Sequence, residues 1–127
     1  MTRGIEVAIH LTPGPNDTDA IAGALGNLAA YRLGRQRGET LQWQILKVME
    51  SDGKHFYRLL MRHPERRLDL GIHAALGRTL EELSANSPDA LREALRAAEA
   101  EGLRPVPLRT IRYAVDFWRD DFWNWIG

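Results

Sequence analysis

The stretch "TLQWQILKVMESDGKHFYRLLMR" (residues 40–62) decides the fold, and it reads in two ways. As helices, Phe56, Leu59 and Leu60 make part of a stripe with a 3.6-residue period. As strands, Leu41, Trp43, Ile45 and Met49 alternate onto one side, and Tyr57, Leu59 and Met61 match them across a turn. Asp52-Gly53 arbitrates, because a glycine there supplies the positive φ that tight hairpin turns demand. Aromatic and β-branched content points the same way. The stretch reads as a hairpin. Its strands do not alternate cleanly, since Leu46, Val48, Phe56 and Leu60 fall on the side away from the main apolar set. A sheet with apolar groups on both faces needs a cover over each.

Outward from the hairpin, "IEVAIHL" (residues 5–11) alternates with period two and reads as a half-buried strand, stopped by "TPGPN". A helix follows. Asn16 or Asp17 offers a side-chain cap, and Asp19 suits the positive end. Ile21, Ala24, Leu25, Leu28 and Tyr31 form its apolar stripe. Gly23 and Gly26 each cost about 1 kcal/mol against alanine, tolerable where a face presses closely on a sheet.

Beyond the hairpin, Pro64 ends the strand, and "RLDLGIH" (residues 67–73) reads as a short edge strand or irregular loop. Thr79 and Glu82 have capping-box spacing, which places a helix start at Thr79. "SPDALREALRAAEAEG" (residues 87–102) is the clearest helix, with Ser87 as cap, Pro88 in the first turn and Gly102 at the exit. "PLRTIRYAVDFW" (residues 107–118) is a last strand. The order strand, helix, strand, strand, helix, strand is that of a ferredoxin-like βαββαβ domain. The expectation is one α+β domain over residues 1–127, an antiparallel sheet with two helices on one face and an aromatic C-terminal extension.

In that extension, Trp118, Phe122, Trp125 and Ile126 share one helical stripe, and Asp120 or Asp121 can cap it. Large aromatics left in water make a patch that signals an interface. The tail either folds back over the open sheet face or docks into a partner, with Trp123, off the stripe, expected to stay available. Trp118, Phe122, Trp123, Trp125, Asp120 and Asp121 are the candidate partner-binding residues. Homodimerisation through the open face is a variant.

The 17 basic and 17 acidic residues cancel, which removes the simplest electrostatic case for DNA binding. Basic residues do collect between 54 and 78, where Arg58, Arg62, Arg66 and Arg67 form a candidate patch. The absence of cysteine excludes disulfides, thiolate catalysis and zinc–thiolate sites. Neither a signal peptide nor an apolar run of spanning length is read, so a cytoplasmic location is expected. Arginine far outnumbers lysine, the usage of a GC-rich bacterial or phage genome. His10, His55, His63 and His73 lack metal-site spacing, and no G-x-S-x-G or phosphate-loop motif occurs. No catalytic residue, cofactor or metal is assigned.

The functional expectation is a non-enzymatic interaction module, of the immunity or inhibitor type, that binds and inhibits one specific protein, a toxin or host enzyme. Two alternatives stand beside it. One is a small dimeric ligand-binding protein or enzyme with a pocket near His10, oriented by Asp17 or Asp19. The other is an RNA-binding module using residues 54–67.

Overall fold

The structure, a computed structural model, describes residues 4–11, 17–112 and 117–123, without the side chains at 120 and 121. Residues 40–62 do form the hairpin: β2 (Gln42–Met49) and β3 (His55–Arg62) pair antiparallel, with Ile45 opposite Leu59 and Trp43 opposite Met61. Gly53 takes φ 84° in the turn, and Asp52 Oδ1 accepts from the Lys54 N–H at 3.0 Å. β1 (Ile5–Ile9) pairs antiparallel with the other side of β3. β4 (Leu108–Arg112) lies parallel to β2 at the opposite edge. The sheet order is β1-β3-β2-β4.

The fold is thus α+β with a four-stranded mixed sheet, whereas a wholly antiparallel ferredoxin-like sheet was expected. The β1-β3-β2 part follows the expectation. The departure lies in the connection to β4. It holds two helices, α2 (Leu70–Ser84) and α3 (Pro88–Ala100), where the expected order counts one although the capping box at Thr79 already marks a second start. Each helix reverses the chain, so a second one brings β4 in antiparallel to β3, beside β2.

α2 also starts earlier than Thr79. Asp69 accepts from the Ile72 N–H at 2.8 Å and caps it, so "LGIH" is its first turn. Ile72, Leu76, Leu80 and Leu83 are its buried stripe, and Thr79, inside the helix, bonds the Ala75 carbonyl. α3 matches its reading: Ser87 accepts from the Ala90 N–H, and Leu103, past Gly102, returns its N–H to the Ala98 carbonyl.

α1 (Thr18–Arg37) lies on the sheet and is overlaid by α2 and α3, which explains why it is buried nearly all round. Its N-cap is Asp17, in a left-handed conformation and without a side-chain cap bond; Asn16 lies outside the described residues. A methyl at Gly26 would come within 2.7 Å of Ile45 Cδ1, so this glycine does set the helix–sheet distance. Gly23 has open space instead. Buried Asn27 ties three elements together. Its Oδ1 accepts from Trp43 Nε1 at 3.0 Å and from the Val106 N–H at 2.9 Å, while Nδ2 donates to the Gly23 and Val106 carbonyls.

The sheet has a core on each face. The helical face buries Ile5, Ile9, Ile45, Tyr57, Leu59 and Met61 against the helices. The open face carries Leu46, Val48, Leu60 and Ile111, covered by Phe122 and Trp123 of the short α4 (Asp120–Trp123).

Candidate functional site

The described part of the tail, residues 117–123, is built into the protein's own core. Trp123, expected to stay available, is only 4% exposed. It stacks on Trp118 at 5.8 Å, its Nε1 donates to the Phe117 carbonyl at 2.7 Å, and the Arg62 guanidinium lies 4.3 Å over its ring. Polar bonds fix the cover in place. The Phe122 carbonyl, at the negative end of α4, accepts from buried Gln44 at 3.0 Å and from Arg109 at 2.9 Å. Arg109 also donates to Gln44 Oε1 and sits over the Phe122 ring at 4.1 Å. Burial pulls this guanidinium below its ordinary pKa. Trp125, Ile126 and the Asp120 and Asp121 side chains lie outside the described residues.

The arginines of the basic stretch part company. Arg58 covers the Phe56 ring at 4.3 Å and pairs with Glu6 at 3.1 Å, on the open face. Arg62 joins Trp123 and bonds Gln42 there. Arg66 pairs with Glu39 beyond the hairpin, and Arg67 is exposed beside it.

The densest ionisable cluster surrounds Tyr57 at the carboxyl end of β1. Its hydroxyl donates to Asp19, accepts from Thr18 at 3.1 Å, and lies near Lys47, which holds Asp19 at 3.2 Å. The Tyr57 bond, with Lys47 behind it, holds the Asp19 carboxyl below its ordinary value. Burial, then the bond to Asp19, pushes the Tyr57 phenol up. Every polar group here is used to tie α1 to the sheet. His55 meets the edge of the Tyr57 ring at 5.6 Å. Among the described residues no three His, Asp or Glu side chains gather to hold a metal ion, and no helix is long and apolar enough to cross a membrane.

What the structure leaves open is the outer edge of β1. The Glu50 N–H donates to the Lys54 carbonyl at 2.8 Å. Stepping by two along the ladder, Val48–Phe56, Leu46–Arg58 and Gln44–Leu60 are the bonded pairs. Arg58 and Leu60 therefore turn their backbone groups toward β2, and Tyr57, Leu59 and Met61 turn theirs toward Ile9, Val7 and Ile5 of β1. Glu6 and Ala8 are left with N–H and C=O pointing out of the sheet. The Glu6 carbonyl agrees, since His73 Nε2 of α2 reaches it at 3.2 Å. Ala8 has no such cover among the described residues.

Beside this uncovered edge runs a groove. A cavity of about 240 Å³ lies between β1 and α2, lined by Val7, Ile9, Leu25 and Leu80, with His10, Glu81 and Ser84 as polar lining. Gly77 also lines it, and a methyl on that glycine would meet nothing within 4 Å. The Glu81 carboxylate makes no ion pair or hydrogen bond among the described residues. A pocket near His10 is one of the alternatives the sequence offers; Leu80, Glu81 and Ser84 fall after the helix start read at Thr79, whereas Gly77 falls before it and carries no expected role. The mid-helix glycine was the available signal. No family model matches the chain, and no curated protein matches it.

Proposed function

We propose that the chain is a non-enzymatic protein-interaction module of the inhibitor type, and that its partner docks in the groove between β1 and α2. The observation that carries this reading is an edge strand with outward backbone groups at Ala8, flanked by an apolar cavity. Native sheets usually blunt or cover such edges because they are templates for pairing with another chain. Here α2 covers Glu6 and leaves Ala8 open among the described residues. The tail acts as cover for the module's own sheet, and the ionisable cluster at Tyr57 acts as a tie.

The test is photocrosslinking in cells of the organism that encodes the chain, with a photoreactive residue at Glu81 and, as control, at exposed Arg96 of α3. The expected result is one protein adduct from position 81, none from 96, and loss of the adduct in Gly77→Leu. No adduct from position 81, or one that survives Gly77→Leu, contradicts the reading.

A second reading has an observation of its own: the same cavity reaches His10, so a small apolar ligand with one polar group fits it as well. That reading expects a small molecule to be released from the purified protein on denaturation, and no protein adduct.

A further inference from the structure

Given the groove as the partner surface, on which this step rests, we infer that its occupant is an extended peptide strand carrying an apolar side chain and, near it, a basic one. Three observations lead there. The first is backbone direction. A strand laid along β1 meets the outward N–H and C=O of Ala8. Strand addition takes its affinity from such main-chain bonds and its specificity from pockets for alternate side chains. His73, seated on the Glu6 carbonyl, marks where the pairing ends.

The second is the pocket. At about 240 Å³, floored by Val7, Ile9, Leu25 and Leu80, it takes one large apolar side chain beside the strand edge. Gly77 keeps it open. A glycine in mid-helix costs about 1 kcal/mol against alanine, and no neighbour excludes a methyl at this position. Gly23 has the same open space, but at Gly77 that space is the groove itself, so a side chain there would enter it.

The third is charge. Glu81, an exposed carboxylate with no ion pair among the described residues, lines the same cavity and makes that rim acidic. A lysine or arginine on the incoming strand completes it, and a charge-assisted bond there adds orientation as well as affinity.

The experiment is selection of random displayed peptides on the full chain, followed by fluorescence anisotropy with one labelled winner. The expected winners alternate apolar and polar residues and carry a lysine or arginine. Ala8→Pro removes an outward donor at an edge position where proline is tolerated, and it is expected to weaken binding about tenfold, the order of a hydrogen bond to strand backbone. Gly77→Leu, whose Cβ meets nothing within 4 Å, fills the groove and abolishes binding, and Glu81→Lys removes the preference for a basic residue. Arg96→Ala, on exposed α3 and outside the groove lining, leaves binding unchanged.

Winners that are lost with Gly77→Leu but indifferent to Ala8→Pro overturn the strand and leave the groove standing. Winners indifferent to Gly77→Leu overturn both. Dimerisation of the chain that Ala8→Pro abolishes makes a second copy the occupant and overturns the peptide.

Discussion

Asp19 and Tyr57 share one hydrogen bond whose two ends titrate at opposite extremes of pH. The Asp19 carboxyl is held below 3.8, chiefly by the tyrosine bond, so its contribution to stability is full above that value and is lost as pH falls through the lower folded value. The Tyr57 phenol is raised above 10.0, first by burial and then by Asp19, so its contribution is full below 10.0 and is lost as pH rises through the higher folded value. Thermal melts across the acid range test this. Asp19→Asn flattens the acid limb of the Tm profile, and an unchanged limb contradicts the assignment. Neither partner was legible as such in the sequence. Asp19 reads as a first-turn acid or a partner for His10, and Tyr57 as a core aromatic, and their meeting depends on how α1 lies over β3. Asn27 was likewise invisible, since its bonds go to groups that only the fold assembles.

At the scale of elements, the glycines separate packing from function. Gly26→Ala forces a methyl against Ile45 and is expected to destabilise by about 1–3 kcal/mol, the usual cost of overpacking. Gly77→Ala meets nothing and is expected to stabilise by about 0.5–1 kcal/mol through helix propensity alone. Chemical denaturation of both variants checks the opposite signs. The tail gives a third expectation. Trp123→Ala opens the cover over Leu46, Val48 and Leu60 and is expected to cost about 3–5 kcal/mol, as buried Trp truncations do. An unchanged melting temperature would mean that the indole is not part of the core. The need for that cover was legible, because Leu46, Val48, Phe56 and Leu60 alternate onto the wrong side of the hairpin. The role of Trp123 was not, because α4 is one turn long and its stripe was drawn over two. The first turns of α2 are hidden for a related reason: Gly71 and Gly77 weaken the helical signal, and Asp69 is a cap that only Ile72 reveals.

At the scale of the molecule, the hairpin and its turn were readable because local chemistry alone decides them. The place of β4 was not, because it depends on the number of helices in one connection. That topology has a functional consequence. With β4 beside β2, β1 becomes an edge strand, whereas the expected order would have paired its outer side with β4. The second helix thus does two things at once. It moves β4 away from β1, and α2 then forms the wall of the groove. The central claim is that the partner binds at this edge and that the aromatic residues of 117–123 belong to the protein's own core. One NMR titration of the full chain with a selected peptide reads both, through the Ala8 and Gly77 amides on one side and the Trp118 and Trp123 indole N–H signals on the other. The account predicts that Ala8 and Gly77 shift while both indoles stay in place; indoles that shift while Ala8 does not would contradict it.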